Sequence, residues 1–223
     1  MGNYEHDSDP NSDWDDSCES DWTEFNWEHY LQREDKEIAK YQSLYNKLIR
    51  SPNRLDEVAL YMGWQQRAPE IEDEETVDQE DVAYEADQQP YTIHKHPLFV
   101  SSKALHGWLL EQWSRHIALA GEQLPAQHAL SLQTALMESD QYGLLAVTAL
   151  DLNDFALAIA YFKRGMVSIN KAFALLAKFE SLEIEPLNRY VSNARIRLFD
   201  IREIWLRVSS DCRTTIARGS DED

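Results

Sequence analysis

The sequence predicts an all-α protein: an antiparallel four-helix bundle over residues 97–218, preceded by an N-terminal helical arm and accompanied by acidic disordered segments. Three observations lead there. Gly and Pro number only seven each, too few for the many turns of an all-β chain. Apolar residues recur at alternating spacings of four and three in the C-terminal half. Pro52, Pro97, Pro125 and Pro186 each precede a helix-compatible run, and in a first helical turn the missing N–H costs nothing.

Residues 1–24 form an acidic tail. They carry nine carboxylates and no Lys or Arg, and like-charge blocks repel and cannot bury themselves. Trp14, Trp22, Phe25 and Trp27 sit among those acids. Trp14 and Trp22 are candidates for anchoring in a partner's groove, while Phe25 and Trp27 are expected to start the first helix and pack internally. Residues 25–67 form the helical arm, with helices expected near 26–50 and 52–65. Ser51 is a suitable N-cap ahead of Pro52. The first of these helices carries Trp27, Leu31, Ile38, Tyr41, Tyr45 and Leu48 in a loose 3.5-residue repeat, broken by Glu34.

Residues 68–96 form an acidic linker; its stretch 68–92 holds ten carboxylates, Glu70 to Asp87, and again no Lys or Arg. Together with the tail it accounts for the whole net charge of -19. His94, Lys95 and His96 read as the entry to the helix at Pro97 rather than as a ligand pair.

Four long helices are expected near 97–120, 125–150, 153–183 and 186–218, with Gly219 as a stop and an acidic tail at 219–223. The first offers Leu98, Leu105, Leu109 and Leu119, with Trp108 and Trp113 nearby. The second places Leu132, Leu136, Ser139, Gly143, Ala146 and Leu150 on one face, where small residues admit a close neighbour. The third repeats Phe155, Ile159, Phe162, Met166, Ile169, Phe173 and Leu176. The fourth repeats Leu187, Val191, Ala194, Leu198, Ile201, Trp205, Val208 and Cys212. A strict 3.5-residue repeat marks the seam of supercoiled helices. The same seam, if exposed, would serve self-association, so a homo-oligomer is also expected as an option.

Tyr142, Leu145, Ala146, Ala149, Ala158, Phe162 and Gly165 fall at spacings that resemble one tetratricopeptide hairpin. The match covers a single unit. It departs from the pattern at Ala149, Gly165 and Asn170, where that family carries Tyr, Ala and Pro.

No motif for chemistry stands out. The chain has no Gly-rich phosphate loop, no Glu-x-x-His pair of a di-iron bundle and no His-Glu-x-x-His zinc motif. No cofactor or metal is expected. The alternative enzymatic site would group His106, Glu111 and His116 on one helix. The last helix holds seven arginines and no lysine. Arg195, Arg202 and Arg213 share one side of the seam and are candidates for receiving carboxylates, because a planar guanidinium pairs with them bidentately. Pairing with Asp200, Glu203 or Glu180 is the competing account of those arginines.

Net acidity argues against direct binding to nucleic-acid phosphates. No apolar run reaches the ~20 residues of a membrane span, and the first residues lack the features of a secretory signal. Cys18 and Cys212 are too few for a disulfide framework, which fits the cytoplasm. The expected function is a non-enzymatic interaction or scaffold protein that binds a protein partner, its arginines contested by its own acidic segments. The alternatives are an acidic nucleic-acid mimic that sequesters a basic protein, and an enzyme with a site inside the bundle.

Overall fold

The computed structural model describes residues 22–64, 92–182 and 184–220. Trp14 and most of the acidic segments lie outside them. The described residues form α-helices without strands: α1 (Glu24–Leu48), α2 (Arg54–Tyr61), α3 (Pro97–Ala120), α4 (Ala126–Asp151), α5 (Phe155–Ser181) and α6 (Glu185–Ser220). Short 3-10 turns at Ile93–Lys95 and Gly121–Gln123 lead into and out of α3. Among the described residues no helix is long and apolar enough to cross a membrane.

The helix starts follow local chemistry. The Thr23 side chain accepts from the Asn26 N–H at the head of α1. His96 Nδ1 accepts from Leu98 N–H at 3.1 Å, with Pro97 in the first position of α3. Asp154 Oδ1 accepts from Leu157 N–H at 2.9 Å and starts α5. Asn153, with φ 58°, takes the left-handed conformation that turns the chain between α4 and α5. The expectation at Pro52 is corrected: α2 begins at Arg54, because Ser51 Oγ donates to Glu57 Oε1 (2.6 Å) and accepts from Asn53 N–H instead of capping a helix. Gly219 does not end α6, which continues to Ser220.

α3 packs on α4, α4 on α5, α5 on α6, and α6 returns to α3; α1 lies against α3, and α2 against α1. The repeat in α6 points inward. Leu187, Val191, Ala194, Leu198, Ile201, Trp205 and Cys212 are buried. In α5, Ile159, Phe162, Ile169 and Leu176 are buried, with Met166 and Phe173 packed at the margin. Fully burying each such side chain contributes roughly 1.5–3 kcal/mol. Four expected core positions are exposed: Leu119, Phe25, Trp27 and Leu31. Leu119 is 69% exposed and Phe25 77% exposed. In α1 it is Tyr30, not Trp27 or Leu31, that is buried, because its hydroxyl meets Thr92 and its ring faces His94 ahead of α3.

Trp205 fills the interior. Its ring lies 5.6 Å from Phe162 and 6.0 Å from His106, and it sits directly on two glycines. A Cβ on Gly165 would stand 2.6 Å from this ring, and one on Gly143 would stand 3.0 Å from it. The small residues of α4 and α5 therefore admit one large aromatic from α6. Gly165→Ala should lose about 1–2 kcal/mol in urea unfolding, net of the helix-propensity gain, because the Trp205 ring has to shift. Gly107→Ala, where a Cβ would meet open space, should instead gain up to about 1 kcal/mol.

Candidate functional site: a cationic groove

Three helices converge on a groove of about 650 Å³. The end of α1 supplies Asn46, with Ile49 and Arg50 just beyond it; α3 supplies Trp108, Gln112 and His116; the start of α6 supplies Arg189, Tyr190, Asn193 and Arg197. The spacings of four in 108/112/116 and 189/193/197 put each set on one helix face. The lining holds three guanidiniums and no carboxylate.

Arg197 is the unusual member. It is 2% exposed. Its Nη1 donates to the Asn193 carbonyl at 3.2 Å and its Nη2 to Asn46 Oδ1 at 2.6 Å, both neutral partners. Its Cζ lies 3.4 Å from the Trp108 ring centroid and 5.2 Å from that of Tyr45, a cation–π arrangement. Burial pushes its pKa down to about 10, opposed by Tyr45, Asp200 and Tyr190, so it is still charged at neutral pH. Among the described residues it forms no ion pair. A buried charge without a counter-charge costs several kcal/mol.

The nearest carboxylate on its own helix is already taken. Asp200 is 4% exposed. It accepts the Tyr45 hydroxyl and a two-pronged contact from Arg54, Nε at 2.6 Å and Nη2 at 2.5 Å. The Asp200 contact holds the Arg54 guanidinium above its ordinary range, and burial pushes the Tyr45 phenol well above its own. Beneath the groove, Trp108 stacks on Tyr190 at 6.2 Å and 5°, and Tyr190 packs on Trp113 at 5.3 Å. The Tyr190 hydroxyl donates to the Leu109 carbonyl at 3.2 Å.

The residues singled out in the sequence fall elsewhere, with one exception. Arg195 pairs with Glu180 at 2.8 Å. Arg202 is exposed, and Arg213 donates to the Ser209 carbonyl of its own helix. None of the three lines the groove. Trp22 packs on Trp27 and Tyr30 at the far end of α1. The set His106, Glu111 and His116 is not brought together. Glu111 is exposed and pairs with Arg115. His116 turns to the groove, bonded to the Gln112 carbonyl at 2.7 Å.

His106 is fully buried, with Nε2 at 2.9 Å from Ser139 Oγ and Nδ1 at 2.9 Å from the Ser102 carbonyl. Asp140 stands 3.9 Å from Nδ1, so the residue types of a hydrolytic triad are present. The Nδ1 bond goes to backbone instead, and Ser139 and His106 are each 0% exposed, which keeps a substrate carbonyl out. Among the described residues no group of His, Cys, Asp and Glu could hold a metal ion.

Arg50, Arg189, Arg197 and Trp108 were not assigned to a site from sequence. The available signal was Arg197 beside Leu198, at the edge of an otherwise apolar seam.

Two outcomes follow. Arg197→Met should leave the unfolding free energy unchanged or raise it by about 1 kcal/mol, since an unpaired buried charge is replaced by a side chain of similar length. Calorimetry checks this. Burial holds His106 below its ordinary pKa of 6.5, against the pull of Asp140. The unfolded chain therefore takes up the proton first, and stability present above about pH 6.5 falls as pH drops below it, by up to about 1.4 kcal/mol per pH unit. Urea unfolding at several pH values should show this slope, and His106→Gln should reduce it by one proton. No protein-family model matches the sequence, and no curated protein and no solved structure matches it either, so the chemistry of the groove rests on these residues alone.

Proposed function

We propose that this chain is a non-enzymatic helical interaction protein, and that the groove between α1, α3 and α6 receives an acidic segment of a protein partner. The observation that carries this is Arg197: a buried, charged guanidinium held by neutral groups in the wall of a cavity flanked by Arg50 and Arg189. A guanidinium has five N–H donors, and two of them are used by Asn193 and Asn46. An incoming carboxylate would take the remaining donors and neutralise the charge. Perturbed ionisable groups in a cleft are where function concentrates.

In this reading the four long helices form an antiparallel bundle and α1 and α2 are an arm laid against it. Paired residues running in opposite directions support the arrangement. Lys103 meets Asp140 and His106 meets Ser139 between α3 and α4; Glu138 meets Ser168 and Tyr142 meets Tyr161 between α4 and α5; Glu180 meets Arg195 and Phe173 meets Phe199 between α5 and α6. The bundle's filled interior leaves its outer faces as the places for partners.

A fluorescent acidic peptide without aromatic residues tests the groove. It should bind the full chain, with affinity falling as salt rises. Arg50→Ala and Arg189→Ala should each weaken binding about 2- to 5-fold, as exposed charge pairs do, and Arg197→Met should weaken it more. Binding that is absent, or untouched by all three substitutions, would remove this function.

A further inference from the structure

We propose that the partner is a second copy of this chain, whose Asp13, Asp15 and Asp16 supply carboxylates to Arg197, Arg189 and Arg50. This rests on the reading of the groove given above and names its occupant.

Charge complementarity is the first argument. Residues 1–21 carry eight acids and no Lys or Arg, and five of those acids fall between Asp13 and Asp21. The groove presents three guanidiniums and no acid. The densest acidic run of this tail therefore matches the one buried guanidinium that has no counter-charge among the described residues.

Chain length is the second argument, and it decides between the chain's own tail and a neighbour's. The tail joins the fold at Trp22, which is seated on Trp27 at 4.9 Å and Tyr30 at 5.7 Å. The groove is built from the opposite end of α1, at Asn46 to Arg50. The 25 residues of α1 span about 37 Å at ~1.5 Å each. From Trp22 back to Asp13 the chain reaches at most about 32 Å fully extended, and back to Asp16 about 22 Å. Measured to Asn46, the near edge of the groove, the span is about 33 Å, so Asp15 and Asp16, with reaches of about 25 and 22 Å, fall short of their own groove. Only residues at or before about position 13 have the length to arrive, and there Asp13 is separated from its cluster, with Glu5, Asp7 and Asp9 spread before it. A second copy has no such tether. Reciprocal exchange, each tail in the other's groove, fills both sites and closes a two-fold pair.

A charge swap tests this in full-length protein by sedimentation velocity. One variant carries Asp13→Lys, Asp15→Lys and Asp16→Lys; the other carries Arg50→Glu and Arg189→Glu, leaving the buried Arg197 in place so that the fold is not at risk. The wild-type chain should dimerise at micromolar concentration. Each variant alone should be monomeric, its association weakened by at least about tenfold. Mixed together they should form a one-to-one dimer, because each tail then meets a groove of opposite sign, and circular dichroism should show unchanged helix content. A wild-type chain that is monomeric throughout, a dimer that survives either variant, or a mixture that fails to associate would overturn the proposal. The acidic peptide separates the two failures: a monomeric chain whose groove still binds peptide loses only the second-copy occupant, whereas a groove that binds no peptide loses the underlying reading as well.

Discussion

The carboxylate of Asp200 sets the rest of the arrangement. Buried in α6, it would be costly unless paired, and it takes the Tyr45 hydroxyl from α1 and the forked guanidinium at the first position of α2, Arg54. That group ties both N-terminal helices to the C-terminal helix, alongside the Arg207–Asp56 and Arg197–Asn46 contacts. It also decides the fate of Arg197. Three residues earlier on the same helix, Arg197 is denied the nearest carboxylate and settles for an asparagine side chain, a backbone carbonyl and the face of Trp108. The same ion pair therefore both closes the fold and leaves a charge unmatched beside a groove.

The groove is firm because its floor is aromatic and interlocked. Trp108, Tyr190, Trp113 and Phe179 follow one another at centroid distances of 5.3 to 6.2 Å, and Tyr190 is pinned through its hydroxyl to α3. Arg197 is held on that floor before any ligand arrives. A side chain already ordered loses little further entropy on binding, so its charge is available to an incoming carboxylate at small additional cost. At the other end of the interior, Trp205 occupies the space that Gly143 and Gly165 leave open. The two regions share α6, which presents its apolar seam to one side and Arg189 and Arg197 to the other.

Much of the fold was legible. The alternating spacing in α6 marks eight residues, of which seven are buried and Val208 packs at the margin, because a side chain's angular position on a single helix follows from its sequence number alone. The start at Pro97 was readable for the same reason: a helix start is set by near neighbours. Reading failed where a residue's partner is distant. Tyr30 displaced Trp27 and Leu31 from the buried face of α1 because Thr92 and His94 lie across from it. Arg195, Arg202 and Arg213 share a side of α6, but which side meets another helix depends on where α1 and α5 pass. Glu180 of α5 claims Arg195, and the groove formed with α1 and α3 lies by Arg189 and Arg197 instead.

The sequence by itself determined the helical class, the inward seams of α5 and α6, and the separation of acid-only segments from a balanced core, since all three depend on residue type and local periodicity. Only the tertiary structure decided which arginine would be buried without a counter-charge. That outcome is a competition through space between Arg54 and Arg197 for Asp200, residues separated in sequence by more than a hundred positions, and no local pattern records who wins it.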